Sequence, residues 1–189
     1  MGGPVFKTLV DIIEMLRKKK IRFTVIGGLA VSWRGEPRAT GDVDIVVDID
    51  VIQAVALKNE LNQTPFCPLF PGVAEVIKSS LILPLIHKDT KVTVDLSLGL
   101  SGFEKQLIMR ATDIELEGHF IPVATAEDLI LMKLCAGRQR DMDDISRLVK
   151  LRGKDLDWEY LIKIGRELQR ALAQDIIPEL EKFKYFIDP

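Results

Sequence analysis

The sequence predicts an α+β fold, a mixed sheet flanked by helices and followed by a C-terminal helical bundle. Three observations carry that expectation. Apolar and polar residues alternate at 42–49 and 92–97, Phe6, Leu9, Val10, Ile13 and Leu16 recur at helical spacing, and only helical patterns remain after Thr125. The junction falls near Val123, which predicts a core over residues 1–124 and a helical subdomain over 125–189 packed on it.

Pro4 stands where a first helical turn tolerates proline, so residues 4–19 read as an amphipathic helix whose basic end suits the dipole. Residues 22–26 are short and β-branched and read as a strand; Gly27-Gly28 then permits a tight turn into a helix over 29–34, broken by Gly35, Glu36 and Pro37. From Asp42 onward, Val43, Ile45, Val47 and Ile49 share one strand face, while Asp42, Asp44, Val46 and Asp48 share the other. Asp50 and Gln53 form a capping box for a helix from Val51 to Asn62. Residues 63–72 hold three prolines and read as loop. Strands follow at 81–86 and 92–97, the second ended by Gly99 and Gly102, then a hairpin of 114–116 and 119–123 around Glu117-Gly118. The helices of the tail fall at 126–137, 140–151, 157–172 and 175–184, the last interrupted by Pro178.

With 26 basic and 28 acidic side chains the formal net charge is −2, which excludes a global field drawing the chain to nucleic acid. Local basic patches remain at Arg17 to Lys20 with Arg22, and at Arg138, Arg140, Arg147, Lys150, Arg152 and Lys154. Cys67 and Cys135 lack ligand-spaced companions and read as reduced, buried thiols, which fits a cytoplasmic protein. No apolar run approaches the ~20 residues of a membrane span, so no membrane partner is expected. His87 and His119 read as structural histidines.

Aspartate is disfavoured inside strands, so a strand carrying Asp42 and Asp44 on one face calls for a chemical reason. Two carboxylates ~6.6 Å apart along a strand can converge on a metal pair, and Mg²⁺ favours such oxygen donors while leaving positions for substrate phosphates. Asp95 stands opposite the apolar stripe of the later strand and completes a trio if the two strands are neighbours. A helix opening straight after Gly27-Gly28 offers backbone N–H groups and a positive dipole end to a phosphate. P-loop and dinucleotide-binding glycine motifs are absent from this region. A competing reading takes Asp48, followed by Asp50, as the nucleophile of a haloacid-dehalogenase-type phosphatase, although the Asp50/Gln53 cap already explains the second acid.

The ordered set of Gly27-Gly28, Asp42-Val43-Asp44 and Asp95 resembles the nucleotidyltransferase superfamily, over roughly residues 22 to 150. The tail adds Asp128-Leu-Ile-Leu-Met-Lys133 and Arg140-Asp141-Met-Asp-Asp144, which look like motifs of the minimal AbiEii-type and MenT-type toxin branch. The resemblance implies a polymerase-beta-like sheet. It implies Asp42, Asp44 and Asp95 as catalytic residues and ligands of two Mg²⁺ ions, with Mn²⁺ as the substitute. It also implies nucleotide contacts from Gly27, Gly28, Lys133, Asp141 and Asp144. The expected reaction moves an NMP from an NTP to a hydroxyl acceptor such as tRNA and releases pyrophosphate; a toxin of this kind would have a cognate antitoxin. One position departs: family members often carry lysine two residues before the third carboxylate, where this chain has Thr93, with Lys91 two further back. Without the tail motifs, Lys133 reads as a surface lysine on a helix buried along Leu129, Met132 and Ala136. Two alternatives stand beside this one: a non-catalytic member that binds a nucleotide or a partner, and a small-molecule nucleotidyltransferase whose cationic acceptor, such as an aminoglycoside, meets Glu36, Asp48 and Asp50.

Overall fold

The alternating strand that begins at Asp42 becomes the middle of a seven-stranded mixed sheet. A computed structural model describes residues 3–37 and 39–185. In chain order the first part comprises α1 (Pro4–Lys18), β1 (Phe23–Val25), α2 (Gly27–Arg34), β2 (Asp42–Val47), α3 (Val51–Asn59), a 3₁₀ turn at Leu61–Gln63, β3 (Phe66–Pro68), α4 (Val73–Ser80), β4 (Ile82–His87), β5 (Thr93–Leu98), α5 (Gly102–Arg110), β6 (Thr112–Leu116) and β7 (His119–Val123). The remainder is helical: α6 (Ala126–Ala136), α7 (Gln139–Arg152), α8 (Trp158–Leu172) and α9 (Ile176–Tyr185). The chain therefore has the α+β fold that its patterning predicts. Among the described residues no helix is long and apolar enough to cross a membrane.

The sheet order is β3-β4-β5-β2-β1-β7-β6. β2 runs parallel to β5 and antiparallel to β1, and β1 runs parallel to β7, so β2 and β5 are paired on both edges. Their register sets Val43 against Val94, Ile45 against Leu96 and Val47 against Leu98. All six side chains are at most 1% exposed. α1 packs on β2 and contributes buried Leu9, Ile12, Ile13 and Leu16 to the core, each worth ~1.5–3 kcal/mol on removal from water. Because β2 holds its apolar residues on that face, its aspartates stand on the other.

Two compact units result: Met1–Leu29 with Ala39–Ala124, and Ala30–Arg38 with Thr125–Pro189. In the second unit α6 packs against α7, α8 and α9. Gly165 lets α8 and α9 approach closely, since a Cβ there would lie 2.9 Å from Leu180 Cδ1.

Several local expectations change. The 63–72 segment is not wholly loop: Phe66–Pro68 forms an edge strand, where Pro68 can end a ladder without donating to it. The helix from Val51 closes at Asn59, and a 3₁₀ turn takes up Leu61–Gln63. Gly102 starts a helix as well as following a strand, because Ser101 and Glu104 form a reciprocal capping box for α5. Pro178 does not interrupt α9, since it lies in the first turn, where its missing N–H is no loss. The hairpin turns at Glu117 (φ +47°) and Gly118 (φ +80°), the left-handed pair of a tight two-residue turn. Both cysteines are half-buried free thiols.

Candidate active site

Three adjacent strands bring the core motifs side by side. β1 ends at Val25, opposite Ile45 of β2, and the next residue, Ile26, donates its N–H to the Asp44 carbonyl at 3.0 Å. On the other side of β2, parallel pairing sets Asp42 against Thr93 and Asp44 against Asp95. With strands ~4.8 Å apart, the glycine turn, Asp44 and Asp95 form one row across the sheet, and Asp42 lies two residues upstream on the same face.

Gly27 has φ +65°, a left-handed conformation that glycine adopts without steric cost. A Cβ built on it would lie 1.9 Å from Asp44 Oδ2, 2.5 Å from Cγ and 2.7 Å from Cβ. The Asp44 carboxylate thus packs against the bare α-carbon that opens α2. The first turn of that helix supplies backbone N–H groups and the positive end of a dipole, the usual features of a phosphate site.

Asp42 Oδ1 accepts a hydrogen bond from Thr40 Oγ1 at 2.6 Å. Thr40 is absent from the sequence reading, and the signal for it was a hydroxyl residue two positions before the first aspartate. Burial, and secondarily the charge of Asp42, raise the Asp95 carboxyl above the ordinary carboxylate range. Among the described residues, neither Asp42 nor Asp95 has a lysine, arginine or histidine partner. The donor set suits a hard divalent cation: three carboxylates on one face, two of them felt electrostatically by one another. As their side chains are placed, no three His, Cys, Asp or Glu groups among the described residues are gathered around one point that could hold a metal. The backbone supplies the alignment, while Asp44 is turned toward Gly27.

The tail residues form a cluster of their own within the helical unit. Lys133 is buried in α6, and its Nζ donates to Asp144 Oδ2 at 2.6 Å and Asp141 Oδ1 at 3.2 Å, both on α7. Arg138 Nε donates to Asp141 Oδ2 at 2.7 Å. Burial alone would raise the Asp141 carboxyl, but hydrogen bonds from Arg138 and Lys133 outweigh it and hold the group below its usual range. Lys133 is therefore not a surface lysine, and the buried stripe of α6 is wider than 129, 132 and 136: Ile130, Leu131 and Leu134 are buried while Ala136 is exposed. Asp128 of the same motif is fully buried and accepts hydrogen bonds from Thr125 Oγ1 and Tyr160 Oη.

Other candidate groups are engaged elsewhere. Asp48 accepts from Arg22 Nε at 3.0 Å and Asp50 caps α3, so neither resembles a free nucleophile. Glu36 pairs with Lys150 at 3.2 Å, so the three acids expected to line a cationic pocket each have another partner. Lys91, at φ +61°, donates to the Lys88 carbonyl at 2.7 Å. His87 is fully buried; its Nε2 bonds Asp11 Oδ2 at 2.9 Å while Nδ1 accepts the Asp89 and Thr90 N–H groups, a structural arrangement.

The glycine turn and the Asp-x-Asp strand aligned with a third aspartate are the set on which the resemblance to nucleotidyltransferases rests. The chain belongs to the family described as "Nucleotidyltransferase of unknown function (DUF6036)", whose model matches residues 5–185. No curated protein is significantly similar to it in sequence. Among solved structures, ANT(2")-Ia in complex with adenylyl-2"-tobramycin is similar with a TM-score of 0.55 at 12% identity, over 88% of this chain and 95% of that one. The antibiotic-resistance factor ANT(2'')-Ia in solution gives 0.52 at 11% identity, over 95% and 89%. An antigenic nucleotidyltransferase-like protein from Paracoccidioides brasiliensis gives 0.49 at 18% identity, over 96% and 92%. At such identities the two ANT(2'')-Ia structures speak for the fold alone.

Proposed function

We propose that this protein transfers a nucleoside monophosphate from an NTP to a hydroxyl group and releases pyrophosphate, with Asp42, Asp44 and Asp95 as its catalytic carboxylates. The observation that carries the reading is the alignment of Asp95 with Asp44 beside the Gly27 turn. Asp42, Asp44 and Asp95 would hold two Mg²⁺ ions, which supply Lewis-acid stabilisation of the phosphoryl charge and activate the acceptor oxygen. Backbone N–H groups at Gly27 and Gly28 hold the outgoing phosphates. Asp95, aligned beside Asp44, would accept the acceptor's hydroxyl proton as the new O–P bond forms and the bond to pyrophosphate breaks. Thr40 orients Asp42 through its hydroxyl. For Lys133, Asp141 and Asp144, a role at the nucleotide rests on the tail motifs; their mutual ion pairs already give them a structural task.

The acceptor is tRNA in this proposal, the toxin-like case, with an antitoxin as protein partner. An aminoglycoside acceptor is the second reading, favoured by the likeness in fold and length to ANT(2")-Ia bound to adenylyl-2"-tobramycin. The test incubates the protein with Mg²⁺ and each α-labelled NTP, with tRNA, with an aminoglycoside, or with neither. Wild type is expected to label tRNA, and Asp42→Asn/Asp44→Asn to label nothing. Equal labelling by both would sink the mechanism; nucleotide binding that is independent of Mg²⁺, with no turnover on any acceptor, would indicate a non-catalytic member.

A further inference from the structure

We propose that Gly27 is a positioning residue for Asp44: its missing side chain is the space that the Asp44 carboxylate occupies. The inference rests on the nucleotidyl-transfer reading for the importance of Asp44, but its geometry stands apart from that reading. Four described glycines have positive φ: Gly27, Gly72, Gly118 and Gly137. A Cβ at Gly72 or Gly118 would meet nothing within 4 Å, and at Gly137 the nearest atom would be the Leu134 carbonyl oxygen at 3.9 Å. Those three answer to backbone conformation alone. At Gly27 the Cβ would fall inside Asp44, on Oδ2, Cγ and Cβ together.

The two segments have little room to separate. Val25 and Ile45 are partners in the β1–β2 ladder, and the Ile26 N–H is bonded to the carbonyl of Asp44 itself. Asp44 is paired on its far side with Asp95. Swinging the Asp44 carboxylate about χ1 moves Oδ2 but leaves the Asp44 Cβ 2.7 Å from the new methyl, so β2 must shift as well, and both moves misdirect the carboxylate. The glycine turn and the carboxylate row are therefore one built unit, and the turn constrains where Asp44 can point.

Mn²⁺ binding followed by electron paramagnetic resonance, with no nucleotide present, separates this role from phosphate binding. Gly27→Ala is expected to weaken Mn²⁺ binding by ~10–100-fold, the range seen when a ligand's supporting contact is lost, and to add nothing further in an Asp44→Asn background. Gly137→Ala carries the same left-handed strain without the overlap, and should bind Mn²⁺ as wild type does. A folded Gly27→Ala protein with wild-type Mn²⁺ affinity, altered only in nucleotide affinity, would overturn the proposal. If wild type itself binds no Mn²⁺ without nucleotide, the packing claim is decided by stability, and the nucleotidyl-transfer reading by the labelling experiment. Gly27→Ala must then lower Tm markedly less in an Asp44→Gly background than in wild type, and additive losses would overturn it. Should Gly27→Ala not fold, recovery of the fold by Asp44→Gly supports the inference and failure to recover overturns it.

Discussion

The sheet unit and the helical unit each hold a cluster of aspartates, and they are built to opposite rules. In the helical unit Asp141 and Asp144 are almost fully buried, and Lys133 and Arg138 neutralise them. In the sheet unit Asp42 and Asp95 have no basic partner among the described residues, and burial, then the charge of Asp42, raises the Asp95 carboxyl. The first arrangement satisfies its charges internally. The second leaves Asp42 and Asp95 without a cation among the described residues, and it is there that we propose the chemistry.

The largest expected effect breaks the compensated cluster. Lys133→Met leaves two buried carboxylates without their ammonium, so denaturant unfolding should show a loss of ~3–5 kcal/mol. A loss below ~1 kcal/mol would mean that the helical cluster is not compensated as described.

Asp42→Asn/Asp44→Asn should act on turnover. Loss of carboxylates that supply several kcal/mol of transition-state stabilisation corresponds to a fall in transfer rate of at least ~100-fold.

pH sharpens the contrast in sign. The raised carboxyl of Asp95 makes its folded form hold a proton more tightly than the unfolded chain does. Its contribution is therefore full below the unfolded value of ~3.9 and is lost as pH rises through the raised folded value. Asp95→Asn should accordingly raise Tm at pH 7, and the gain should shrink as pH falls through that window. Asp141 behaves oppositely: its lowered carboxyl stabilises above the unfolded value and loses that contribution as pH falls through the folded one. Asp141→Asn should thus lower Tm at pH 7 and converge on wild type in acid, and parallel pH profiles for the two variants would contradict the comparison.

The smallest effect lies outside both clusters. Arg22 is mostly exposed where it meets Asp48, so Arg22→Ala should cost ~0.2–1 kcal/mol.

Much of the core was legible because its signals are local. The period-two runs at 42–47 and 93–98, the Asp50/Gln53 cap and the Glu117-Gly118 turn each depend on residues a few positions apart. The Ser101/Glu104 cap of α5 is equally local, but Gly99 and Gly102 on either side of Ser101 read as the end of a strand. β3 was not legible, since three residues that follow Pro65 and end in Pro68 become a strand only when β4 offers an edge. Lys133 misleads for a similar reason: α7 covers the face that its own helix leaves to solvent.

The resemblance to nucleotidyltransferases rests on Gly27-Gly28, Asp42, Asp44 and Asp95 in their order along the chain, which the sequence carries by itself. Strand pairing decided the rest. That Asp95 stands beside Asp44, and that Gly27 must stay bare to make room for it, depends on register between segments distant in sequence, and such register is set by burying the valines, isoleucines and leucines of the opposite face.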